Sequence, residues 1–145
     1  MTQVNKEKLS RAIAQLMPSI IQGVHMGFLA KRPITHTQFF VMIAIHSRGE
    51  CSMNVLAKSL HVSMPTMSGI VDRLVKAGYV SRWQDEGDRR QTNVTLKAKG
   101  RDFIADFQVE VSQRWQQVLS FLEPDEIGQF YTIITKLQKN IQVKT

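Results

Sequence analysis

Cysteine is almost absent from this chain. Cys51 stands alone among 145 residues, which excludes an internal disulfide and fits a reducing cytoplasm. Long apolar runs are missing too, and the continuous stretches are far too short to span a bilayer. The start, "MTQVNKEKLSRAIAQ", lacks the charged opening, apolar run and small-residue cleavage site of a secretory signal. No internal repeat and no low-complexity tract occurs. The four histidines, His25, His36, His46 and His61, form no H-x-x-x-H or Cys/His pattern, so no metal site is expected. Nucleophile-elbow, phosphate-loop and zinc-hydrolase motifs are all missing, so an enzyme is not expected and no catalytic residue is assigned. No cofactor is expected either.

What is present is a core and a charge. Apolar residues make up 43% of the chain, enough for one compact unit, and the net charge is +7. The excess is local. Between Arg73 and Arg101 stand eight basic residues against three acids, Asp85, Glu86 and Asp88. Such a balance favours an acidic partner, of which nucleic acid is the commonest. The plainer reading is a solvated basic face.

Periodicity organises the rest. Leu9, Ile13, Leu16, Ile20, Val24 and Phe28 recur at helical steps, with a kink or break expected at Pro18. Thr35 and Gln38 offer a capping box, flanked by Ile34 and Phe39 as a hydrophobic staple, and Gly49 is the natural stop. Cys51 to Met53 suits a very short strand. Ser52 can cap a helix through Leu60. After His61-Val62-Ser63 a further helix opens, its start blurred because Ser63 is the favoured cap while Pro65 pushes Met64 out of the helical region. Gly78 ends it. Two short helices joined by a tight turn make a helix-turn-helix candidate. "YVSRW" and "TNVTL" then alternate like half-buried strands around "DEGD", and two helical stripes follow, Phe103 to Leu122 and Ile127 to Ile141. The predicted fold is mainly α: a winged helix-turn-helix with a two-stranded wing and long helices at both ends.

At about 100° per residue, Met67, Ile70, Val71 and Leu74 share one face of the second helix of the pair. Pro65, Gly69, Asp72 and Lys76 lie opposite, flanked by Thr66, Ser68 and Arg73. Small residues there let a helix sink into a groove where short polar groups reach base edges. Asp72 would repel phosphates unless paired, with Lys76 one turn on or with a wing arginine. Arginine at a hairpin tip suits the narrow, negative minor groove. Asp88, two residues from Arg90, would lie on the same side of a strand and could orient its guanidinium.

"DEGDRRQTNVTLKAKG" resembles the wing signature of MarR-type regulators, the multiple-antibiotic-resistance repressor family, with Asp85, Asp88, Arg89, Arg90, Leu96 and Gly100 in place. "MSGIVDRLVKAGYVSR" is similar to the family's recognition helix and first wing strand through Val71, Asp72, Arg73, Leu74, Gly78, Val80 and Arg82. Gly87, Lys97 and Pro65 depart from the pattern, so base preference does not carry over. The resemblance implies a cytoplasmic, nucleoid-associated homodimer on double-stranded DNA with a palindromic operator. Helices in 1–33 and 101–145 would dimerise around a DNA-binding lobe, 34–100. Ser63, Pro65, Thr66, Ser68, Gly69, Arg73 and Lys76 would serve the major groove, and Asp88, Arg89 and Arg90 the minor groove. It further implies a repressor released by a small aromatic or lipophilic effector. Met17, Ile21, Phe28, Phe39 and Met42 are candidates for the pocket wall, with His36 or Arg32 to meet an anion; taken singly, each reads first as core. Two other readings stand beside it: a winged-helix module for protein or RNA, and a regulator sensing oxidants through Cys51.

Overall fold

The computed structural model describes residues 4–142. Its elements run α1 (Lys6–Ala30), α2 (His36–Arg48), β1 (Glu50–Ser52), α3 (Met53–Ser59), α4 (Met64–Lys76), β2 (Val80–Gln84), β3 (Thr92–Leu96), α5 (Ala98–Leu119) and α6 (Pro124–Gln142). The chain separates into two compact units, one reaching to Glu110 and one starting at Val111.

In the first unit, local chemistry sets most boundaries. Thr35 caps α2: its hydroxyl accepts from the Gln38 N–H at 3.2 Å, while the Gln38 side chain accepts from the Thr35 N–H at 3.0 Å. Gly49 closes α2 at φ +74°, a conformation costly for a residue with a Cβ. Ser52 and Ser63 cap α3 and α4 through the N–H groups of Val55 and Thr66. Met64, expected outside the helix, is its first residue, because the Ser63 cap fixes the boundary one residue earlier. Between α3 and α4, His61 carries φ +53°, rare for a residue other than glycine.

Pro18 does not break α1, which is continuous from Lys6 to Ala30. One backbone hydrogen bond is forfeited there. The turns beyond it are anchored by Ile20, Val24, Phe28 and Leu29, all buried. This helix of 25 residues has a stretch with mean hydropathy 1.2, long and apolar enough to cross a membrane by length and composition alone. The sequence reading, which looked for unbroken apolar runs, had set that aside.

The sheet has three strands in the order β1-β3-β2, both pairings antiparallel. β2 and β3 are the wing, and β1 adds a third strand at its root, Cys51 opposite Val94. Val80, Val94 and Leu96 point into the core. That core joins Met42, Ile45, Leu56, Met67, Val71 and Leu74 from the helices of the lobe. It also draws in Phe28 and Leu29 of α1 and Phe103 and Ile104 of α5. Phe103 and Phe107 meet the Phe39 ring at 6.3 and 4.7 Å between centroids, tilted and edge-on, so α5 completes this core.

The second unit holds the end of α5 and all of α6. Glu123 N–H donates to the Glu126 carboxylate at 2.9 Å at the start of α6. Trp115, Leu119, Ile127, Phe130, Tyr131 and Ile134 line an apolar groove of about 420 Å³. Every residue of the stripe Ile127, Phe130, Ile134, Leu137 and Ile141 is exposed in the single chain.

Candidate nucleic-acid interface

The face of α4 turned away from the core is built as the angular reading expects. Met67, Val71 and Leu74 are fully buried, and Ile70 is half-buried against the same core. Pro65, Thr66, Gly69, Arg73 and Lys76 are exposed, and Ser68 is half-buried. Ser63 and Thr66 are joined, the Ser63 hydroxyl donating to Thr66 Oγ1 at 2.9 Å. A Cβ at Gly69 would meet nothing within 4 Å, so no neighbour inside the protein requires glycine there. Among the described residues, the Arg73 guanidinium and the Lys76 ammonium have no intramolecular partner.

Asp72 is paired across to β2, its Oδ1 accepting from Arg82 Nη1. Of the two partners the sequence allowed, the wing arginine takes it. Neither residue was among the expected site residues; the signal was the matched spacing of an acid on the outward helix face and a basic residue on the first wing strand.

Asp88, Arg89 and Arg90 are exposed at the wing tip. They lie in the loop between β2 and β3, so the expected strand geometry does not hold. Asp88 instead works as a turn residue, its Oδ1 accepting from the Arg90 backbone N–H at 3.1 Å and its carbonyl from the Gln91 N–H at 2.9 Å. It organises the backbone that carries the arginines and does not touch the Arg90 guanidinium.

The expected effector residues divide. Met17, Ile21 and His36 line an apolar groove of about 410 Å³, together with Ala14, Pro18 and His25. Phe28, Phe39 and Met42 do not reach it; they are 0–2% exposed in the core. Arg32 is engaged elsewhere: its guanidinium lies 3.6 Å from the Phe28 ring centroid, donates to the Phe28 carbonyl at 2.9 Å, and stands 3.8 Å from Glu110. Sequence reasoning missed His25 here. Its ring packs against His36, Phe39, Phe40 and Phe107 at 4.8–5.9 Å, and its Nε2 is buried with no hydrogen-bond partner. Burial, with a smaller push from His36, lowers its pKa. Burial is also the main effect on Cys51, whose thiol is pushed up, against the activated thiolate an oxidant sensor needs.

A helix pair with one face turned outward, joined to a β-hairpin with arginines at its tip, defines a winged helix-turn-helix. Residues 34–92 match the family model described as "MarR family". The chain is 29% identical over 73 residues to the HTH-type transcriptional regulator SarZ of Staphylococcus haemolyticus, a match spanning 50% of each protein. Its fold is similar to that of the transcriptional regulator Tm0710 from Thermotoga maritima, with a TM-score of 0.82, 22% identity, and 96% and 97% of the two chains covered. It is similar as well to a mutant of MepR from S. aureus bound to an oligodeoxyribonucleotide, with a TM-score of 0.67, 22% identity, and 96% and 99% covered. Members of this family regulate transcription and are not enzymes.

Proposed function

We propose that this chain is a repressor that binds a palindromic operator as a homodimer and lets go of it when a small apolar compound binds. The observation that carries the DNA reading is the outward face of α4. Its polar and basic side chains are spent on nothing in the core, and the arginine-bearing wing tip is on the same lobe. Ser63, Pro65, Thr66, Ser68, Gly69, Arg73 and Lys76 enter the major groove, and the Asp88–Arg90 turn carries arginine to the minor groove. The MepR relative captured on an oligodeoxyribonucleotide supports this assignment.

The dimer is supported by apolar surface that one chain leaves bare. Leu9, Ile13 and Leu16 on α1 are exposed, and so is the whole stripe on α6; each is an apolar row of the kind that a partner chain covers. The effector is supported by the groove of Met17, Ile21 and His36. With Arg32 already bonded, a largely apolar compound suits this groove better than an anion. A cytoplasmic place beside the nucleoid follows from the same reading.

Selection of duplexes from random DNA, followed by a salt titration, tests the proposal. The expected result is one palindrome preferred over bulk DNA, with affinity falling steeply as salt rises. Binding to RNA or to an acidic protein in preference to any duplex overturns it.

A further inference from the structure

A small cleft of about 170 Å³ lies where α3, α4 and the wing meet. Its polar lining is Asn54, Ser68, Arg82, Arg90 and Thr92. Each of these side chains carries hydrogen-bond donors, and two are guanidiniums with five N–H groups apiece. Among the described residues, only Arg82 has an intramolecular side-chain partner, the Asp72 carboxylate bonded at Nη1. Asn54, Ser68, Arg90 and Thr92 line it without a side-chain hydrogen bond to the described residues. A cleft lined by donors, with one guanidinium unpaired and a second shared with Asp72, suits a compact anion with only acceptor oxygens. A phosphate is that group.

Its place on the lobe says which phosphate. In a duplex the major and minor grooves are separated by one sugar–phosphate backbone. The cleft lies between the helix assigned to the major groove and the wing assigned to the minor groove, where that backbone has to pass. We propose that the cleft seats one backbone phosphate in each half-site. Arg82 is the contacting cation. Asp72 is a positioning residue that fixes one edge of the guanidinium and leaves the others turned to the DNA. This rests on the DNA-binding reading above and adds Arg82 and Asp72 to the residues assigned there, while Ser68 and Arg90 belong to both sets.

The test uses the full chain and a duplex selected for tight binding, with its phosphates replaced singly by neutral methylphosphonates. In the wild type, neutralising one phosphate per half-site weakens binding by about tenfold or more, the scale of a lost charge-assisted hydrogen bond. In Arg82→Ala that penalty disappears, penalties elsewhere persist, and the salt slope falls by about 1 for each seat. Should Arg82→Ala fold poorly, Ser68→Ala is the second probe. Its hydroxyl has no partner inside the protein, and its loss reduces the penalty at the same phosphate alone. Asp72→Asn weakens operator binding although it removes a negative charge near DNA. Unchanged penalties at every phosphate in both Arg82→Ala and Ser68→Ala overturn the seat. Weakening of operator binding by inorganic phosphate at constant ionic strength, in the wild type and not in Arg82→Ala, overturns it only together with methylphosphonate penalties that Arg82→Ala leaves unchanged, because the anion is then a free one. A wild-type chain that binds no selected duplex defeats the regulator reading itself, and the seat with it.

Discussion

Gly100, in the first turn of α5, lies so close to Tyr79 that a Cβ on it would stand 2.4 Å from the Tyr79 carbonyl oxygen. That carbonyl also accepts from the Lys97 N–H at 2.9 Å, so the wing strand β2 and the start of α5 are joined at one point. The contact is to backbone, which cannot swing aside. Gly100→Ala is predicted to destabilise the fold by about 1–3 kcal/mol, as overpacking does, even though alanine is the better helix former. Urea denaturation checks this as a lower midpoint with an unchanged slope.

Gly69 supplies the opposite case on the same lobe. Space around it is open, so Gly69→Ala is predicted to stabilise α4 by about 0.5–1 kcal/mol. Gly69→Leu is predicted to leave folding nearly intact and to abolish specific DNA binding, because a large side chain on the outward face blocks close approach. Denaturation and operator titration, run side by side, read the two effects. Loss of folding in Gly69→Leu would mean that this face of α4 packs against protein.

At the wing tip, Arg89→Ala is predicted to weaken operator binding by about 1–3 kcal/mol and to relax preference in the A·T-rich flank. Asp88→Ala is predicted to weaken it as well, because the carboxylate holds the Arg90 backbone N–H. Tighter binding by Asp88→Ala would show that Asp88 acts only by repulsion. Binding curves against operators with altered flanks separate these outcomes.

His25 gives the fold a pH dependence with a definite sign. Its ring neighbours are His36, Phe39 and Phe40 on α2 and Phe107 on α5, and among the described residues no acid contributes to the shift. The folded-state pKa is lowered below the ordinary 6.5, so the unfolded chain binds the proton more readily. The stability His25 contributes is complete above about pH 6.5 and is lost as pH falls from there through the folded pKa. His25→Phe is predicted to flatten stability between about pH 8 and pH 5 relative to the wild type. Denaturant midpoints measured across that range decide it; parallel profiles would remove His25 as the cause.

For assembly, sedimentation at micromolar concentration is predicted to give a dimer. Substituting Ile134 and Leu137 on α6 by Asp is predicted to shift it toward monomer, since both are exposed in the single chain. A well-folded monomer in the wild type, binding one half-site as tightly as the full operator, would overturn the dimer and the operator symmetry together.

The sequence by itself determined most of what is local or periodic, the start of α4 and the turn at Asp88–Arg90 excepted. The Thr35–Gln38 capping box, the Ser52 cap, the Gly49 stop and the buried face of α4 were all legible, since a cap acts within one turn and a helix repeats every 3.6 residues. The wing was legible for the same reason, alternation flanking a polar turn. Only the tertiary structure decided which long-range partner won. Asp72 could reach Lys76 on its own helix, yet it is bound by Arg82, which the hairpin carries up beside α4. Phe28, Phe39 and Met42 looked equally suited to a pocket wall, and the closing of α1 and α5 over the lobe buried them as core. His25 and the donor-lined cleft at Arg82 left no sequence signal, because their neighbours come from separate elements. Spacing along a chain cannot state which side chains a fold brings into the same space.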